Sequence, residues 1–187
     1  MIYEEHHIQS ISTISLQEDV FERCIFDGID LSYRQLDRCR FIDCTFKNVD
    51  LSMVQWAKSQ LQSVLFKDSK LMGVDFTSCT TLLFSVSFTR CDLSMSKFAH
   101  LDISRTIFKE CQLYGSDFYR SNAHHCTFDT CQLKDSLFES TNLSYADLSS
   151  SYGLYIDPQK NDLNRTKVSV EQALQFAQAF NIDIIDL

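Results

Sequence analysis

The sequence predicts an all-β chain wound as a four-sided β-helix and closed at its C-terminal end by one short α-helix. Three observations predict it. A large apolar residue recurs at every fifth position over most of the 187 residues, the residue types at these positions repeat every fourth quintet, and all eight cysteines occupy one position of the quintet. Helices bury residues at a period near 3.6 and ordinary strands at 2, so a sustained period of five fits neither.

The period is plainest in the middle of the chain, at Leu93, Phe98, Ile103, Phe108, Leu113 and Phe118. Taking each such residue as the centre of a quintet, the frame begins at Leu16, runs to Phe76, slips by two residues, and resumes from Leu83 to Leu148. Self-similarity at a fixed short period marks a solenoid, in which each repeat buries its apolar residue against the next. Four quintets make one square coil of twenty residues if equivalent faces stack. Sorting the centres by every fourth quintet supports this. One column reads Phe26, Phe46, Phe66, Phe88, Phe108, Phe128 and Leu148, and the next reads Leu31, Leu51, Leu71, Leu93, Leu113 and Leu133. Both columns cross the slip, so the extra residues near Thr80, Thr81 and Leu82 are expected to form a small loop at a corner.

The position two before each centre holds Cys24, Cys39, Cys44, Cys79 (in the frame before the slip), Cys91, Cys111, Cys126 and Cys131, and otherwise mostly Ser, Thr, Val or Ala. Small residues mark tight space, where a free thiol acts as a small buried apolar group. The remaining positions carry the charge, as at Asp92, Lys97, Asp102, Lys109, Glu110, Asp117 and Arg120, and are expected to face water. Four glycines and one proline, Pro158, are few for a chain built of turns, so one repeated turn made by ordinary residues is implied.

Residues 16–150 are therefore read as the β-helix, residues 1–15 as an N-terminal cap, and residues 151–187 as a loop, capping helix and apolar tail. Ser169 to Gln172 has the form of a capping box, and Ala173, Phe176, Ala177 and Phe180 follow at helical spacing. Asn181 is placed to end the helix in a left-handed conformation. Leu174, Phe176, Ala177, Phe180 and Ile184 are the candidates for covering the last coil or pairing two rods.

The chain has no glycine-rich phosphate loop, no nucleophile elbow and no His-Glu-x-x-His. His124, His125 and Cys126 crowd together, but the quintet register turns the histidines outward and the thiol inward. The expectation is a non-enzymatic protein with no cofactor and no metal. An acidic start, Met1-Ile2-Tyr3-Glu4-Glu5, and no apolar run of membrane length point to a cytoplasmic protein with free thiols. Residues 16–148 carry 14 Lys and Arg against 18 Asp and Glu, a net of −4 within a chain of net −8, which disfavours direct nucleic-acid binding.

The quintets resemble the pentapeptide-repeat consensus A(D/N)LXX, as in Ala146-Asp147-Leu148-Ser149-Ser150 and Cys91-Asp92-Leu93-Ser94-Met95. The resemblance implies that family's right-handed quadrilateral β-helix. It is nearest to the branch that shields type II topoisomerases, the fluoroquinolone-protection proteins and the immunity proteins against gyrase-targeting peptides. It thereby implies binding to DNA gyrase or topoisomerase IV as a mimic of duplex DNA, and a homodimer joined through the C-terminal helix. Asp92, Asp102 and Asp117 are then candidate partner-facing acids. The chain lacks the longer projecting loops of some relatives, so Thr80, Thr81, Leu82 and Phe84 are the candidate partner-facing loop. The competing expectation is a general protein scaffold using an outward apolar strip of Tyr33, Met53, Met72, Met95 and Tyr114.

Overall fold

The computed structural model describes residues 1–11, 16–182 and 185. It is a right-handed quadrilateral β-helix with one short helix at its C-terminal end. Its strands are β1 (Ile2–Glu4), β2 (His7–Ile8), β3 (Val20–Glu22), β4 (Ile25–Asp27), β5 (Arg40–Ile42), β6 (Thr45–Lys47), β7 (Gln60–Gln62), β8 (Val64–Lys67), β9 (Val86–Thr89), β10 (Ile107–Lys109) and β11 (Thr127–Asp129), with α1 at Val170–Ala179. All pairing between them is parallel. The first face stacks β1, β3, β5 and β7, and the second stacks β2, β4, β6, β8, β9, β10 and β11. The third and fourth faces are joined by single bridges, such as Asp50 to Lys70 to Asp92 and Asp75 to Lys97 to Asp117.

The centres fill the bore as the columns require. Phe46 pairs with Phe66, Phe66 with Phe88, and Phe88 with Phe108, and every leucine of the third-face column from Leu31 to Leu133 is fully buried. Rings in one column stack nearly parallel, at 5.2 Å between Phe88 and Phe108 and 4.8 Å between Phe108 and Phe128. Neighbouring columns meet edge to face, as Phe98 does with Phe108 at 5.7 Å. These are the two favoured arrangements of aromatic quadrupoles.

One turn is reused along the chain. In quintets such as that of Leu51, the centre's carbonyl accepts the N–H three residues on, from Val54, and the residue between, Met53, has φ 57°. That left-handed third residue is what a type II turn requires. Non-glycine residues hold it at most corners, Arg105, His125 and Tyr145 among them. Where Asp or Asn precedes the centre, its side chain accepts the N–H two residues on, as Asp50 does from Ser52, Asp92 from Ser94 and Asn142 from Ser144. This local bond explains the Asp and Asn of the quintet pattern.

The small inward position also does more than save space. Ser116 Oγ donates to Leu93 O at 3.0 Å, Thr141 Oγ1 to Phe118 O at 2.8 Å, and Cys126 Sγ to Ile103 O at 2.9 Å. Each joins a side chain to the carbonyl of a centre 23 residues earlier, so Ser, Thr and Cys share the position as short donors.

The β-helix extends beyond residues 16–150 in both directions. β1 and β2 already pair with β3 and β4, with Tyr3 stacked on Phe21 and Ile8 opposite Phe26, so part of the segment expected only to cap the rod supplies its first rungs. At the other end Asn142 bridges Asp162 and Asp147 bridges Lys167, so the coil continues to the edge of α1. The slip falls on the first face. Leu83, expected as a centre, is instead 58% exposed, and the half-buried Phe84 packs against the core edge-on to Phe76 at 6.3 Å. The extra residues push Leu83 out of register, and the first-face sheet stops at β7 while the second face runs past unbroken.

Candidate interaction surfaces

Among the described residues no group of His, Cys, Asp and Glu is arranged to hold a metal ion, and no helix is long and apolar enough to cross a membrane. His124 Nδ1 lies 2.8 Å from Ser144 Oγ and His125 stacks on Tyr145 at 5.0 Å, both outside, while Cys126 is fully buried. All eight thiols are free and buried. Burial pushes Cys39 up to about 11 and Cys44 and Cys126 up to about 12, which keeps them protonated. Cys91 and Cys131 are pushed up by the thiol hydrogen bond each shares with Cys111, and by burial.

The three candidate acids stand on three different faces: Asp92 on the third, Asp102 on the first and Asp117 on the fourth. Each also serves its own turn, accepting the N–H of Ser94, Ser104 and Tyr119 respectively. Lysines interleave with two of them, since Lys70 lies between Asp50 and Asp92 and Lys97 between Asp75 and Asp117. Elsewhere Arg90 grips Asp68 with two hydrogen bonds, at 2.6 and 3.0 Å, and that bond holds the Asp68 carboxyl below its ordinary value. Among the described residues negative charge is thus distributed and partly paired along the rod.

The loop at the slip presents less than its sequence suggested. Thr80 is half-buried, its N–H and Oγ1 both bonded to Ser59 O, and Phe84 is turned into the core. Thr81, Leu82 and Leu83 are the residues at its exposed tip, Leu82 at 74%.

At the C-terminal end, α1 is closed by both expected devices. Ser169 Oγ accepts from Gln172 N and Gln172 Oε1 accepts from Ser169 N, while Asn181 and Ile182 donate back to Gln178 and Ala177 in a Schellman motif. The lid itself centres on a residue the apolar pattern passed over. Gln172 is buried and its Nε2 donates to Leu148 O at 3.2 Å and Ser151 O at 3.0 Å, tying the helix to the last coil. Phe176 packs against the core, Leu174 and Ala177 are half-buried, and Phe180 is exposed. Ile184 lies outside the described residues.

Stacked aromatic and leucine columns inside a four-sided rod, with Asp and Asn side chains bonded into its turns, define the structural class. The chain belongs to the pentapeptide-repeat family: the pentapeptide repeat region matches residues 19–98 and 81–152. Among solved structures it is similar to a trypsin-treated form of QnrB1, described as a plasmid-mediated fluoroquinolone resistance protein, with TM-score 0.58 and 18% identity over 99% of this chain and 98% of that one. Full-length QnrB1 matches with TM-score 0.50 and 19% identity over 97% of each chain. No curated protein matches the sequence.

Proposed function

We propose that this protein binds a type II topoisomerase, DNA gyrase or topoisomerase IV, and protects it from poisons of the fluoroquinolone class. The observation that carries this reading is the likeness of the whole chain, end to end, to a fluoroquinolone resistance protein with the same rod fold. The rod would occupy a groove shaped for duplex DNA. Because its carboxylates are interleaved with lysines and arginines, its fit relies on shape and on local contacts more than on imitation of phosphate charge. The apolar loop tip at Leu82 and Leu83 is the natural contact beside that groove. Two rods would pair through the exposed Phe180 and Ile182 at the helix end, doubling the length presented. The reading implies a cytoplasmic protein without catalytic activity of its own.

The test is a gyrase supercoiling assay with and without a fluoroquinolone. Added protein at micromolar concentration should restore supercoiling and reduce trapped cleavage complexes, and replacing Leu82 and Leu83 together with serine should weaken the rescue without lowering the melting temperature. No binding, no inhibition and no rescue would remove the topoisomerase from the account.

A further inference from the structure

The third face and its outer corner carry an apolar strip beside a charged groove, and the side chains of the strip stay exposed. At successive coils the corner residues are Tyr33, Met53, Gly73, Met95 and Gly115, each with positive φ. At the two coils where the corner is glycine, the residue before it is Met72 or Tyr114, so every coil from Tyr33 to Tyr114 presents one large apolar side chain. All five are exposed, from 39% at Tyr114 to 74% at Tyr33. The glycines let the methionines lie along the rod: a Cβ on Gly115 would stand 2.7 Å from Met95 Sδ, and one on Gly73 would overlap Met53 Sδ. A left-handed corner that favours glycine or asparagine holds methionine twice and tyrosine once, against local conformational preference.

At the opposite edge of the same face, Asp68, Lys70, Arg90, Asp92, Glu110 and Gln112 line a shallow groove of about 420 Å3. Arg90 is held by Asp68, Lys109 lies 3.9 Å from Glu110 and Lys70 lies 4.0 Å from Asp50, so Asp92 is the carboxylate of this set left without a cation of its own.

We propose that this face docks an amphipathic, basic α-helix of a partner protein, its apolar stripe on the methionine strip and its lysines or arginines over Asp50, Asp92 and Glu110. Four coil steps of about 4.8 Å span roughly 19 Å, the length of about 13 helical residues at 1.5 Å each. Unbranched, polarisable methionine side chains adapt to a helical ridge, and the carboxylates select its charge. The proposal rests on the rod being a protein-binding module and not on which enzyme it protects, so failure of the gyrase assay would leave it standing.

The probe is a fluorescein-labelled 14-residue peptide with leucine at i, i+3, i+4 and i+7 and lysine elsewhere, compared with the same peptide carrying glutamate for lysine. Met53→Asn and Met95→Asn together remove the two corner methionines at the middle of the strip while supplying a residue suited to the left-handed corner. Asp50→Asn and Asp92→Asn together remove charge while keeping the side-chain acceptor of each turn. The lysine peptide should bind wild type, at least about tenfold more weakly to the Met53/Met95 variant, and more weakly and with a shallower salt dependence to the Asp50/Asp92 variant. Melting temperatures of both variants should match wild type. Equal binding to wild type and the Met53/Met95 variant, equal binding of both peptides, or no binding at about 1 mM would overturn the proposal. So would sedimentation showing that the methionine substitutions dissolve a self-associated species, which would assign the strip to a second copy of this chain.

Discussion

Phe108→Ala tests the stacked column most severely. Phe108 is fully buried, lies between the parallel rings of Phe88 and Phe128, and meets Phe98 and Phe118 edge-on at 5.7 and 6.0 Å. Truncating a buried phenylalanine costs about 3–5 kcal/mol, and each lost stacked pair adds roughly 0.5–1.5 kcal/mol beyond its area. The coil cannot collapse into the void, because β10 is held in the ladder between β9 and β11. The loss should therefore fall near the upper end, about 5 kcal/mol. Urea unfolding followed by far-UV circular dichroism measures it. Fluorescence of the single tryptophan, Trp56, which packs against Phe66 and Phe76, reports the other half of the rod separately. In a solenoid of nearest-neighbour couplings the Trp56 transition should shift less than the dichroism transition. A total loss under about 1 kcal/mol would refute the reasoning that neighbouring rings hold the coils together.

Three further outcomes are expected. Trp56 Nε1 is buried without a hydrogen-bond partner, so Trp56→Phe exchanges a volume loss for removal of an unsatisfied donor and should leave the urea midpoint unchanged or raised; a loss above about 2 kcal/mol would contradict this. The thiols of Cys39, Cys44 and Cys126 should make the rod labile to alkali. Their folded values are raised, so the stability they contribute is complete below the unfolded value near 8.5 and is lost as pH rises toward about 11 for Cys39 and about 12 for Cys44 and Cys126, by about 1.4 kcal/mol per pH unit per group at most. Cys126→Ser, which can keep the bond to Ile103 O, should flatten that slope in melts between about pH 8.5 and 11; an unchanged slope speaks against the thiols. Gln172→Ala strands the carbonyl of Ser151, while Leu148 O keeps the Ser151 N–H, and should cost about 1–2 kcal/mol, read as faster amide exchange confined to the last coil.

The columns of the second and third faces were legible because burial alone selects their residues, and the same selection showed that the slip left the order of faces intact. What escaped reading did so for specific physical reasons. The first coil is short, since Tyr3 pairs with Phe21 and Ile8 with Phe26 at separations of 18 where later coils use 20. The last coil keeps the frame, but its centre positions fall on Gly153 and Pro158, which carry no apolar signal, with Leu154 and Ile156 buried nearby instead. Leu83 satisfied the pattern and lost the position because a six-residue excursion from Thr80 to Ser85 cannot hold the first-face register. The donor role of Ser, Thr and Cys and the lid role of Gln172 depend on which carbonyl lies one coil away, a relation that periodicity does not encode. Of the candidate surfaces, the separation of Asp92, Asp102 and Asp117 onto three faces follows from their offsets of 10 and 15 residues in a twenty-residue coil, and was open to reading from the register.

Four walls keep their own side-chain identity along the rod. A crystal structure tests this most directly at the second-face column across the slip. The rings of Phe66, Phe88, Phe108 and Phe128 should form one continuous stack with successive centroids near 5.2, 5.2 and 4.8 Å. Finding Phe66 and Phe88 on different faces, or a mostly helical chain, would contradict it.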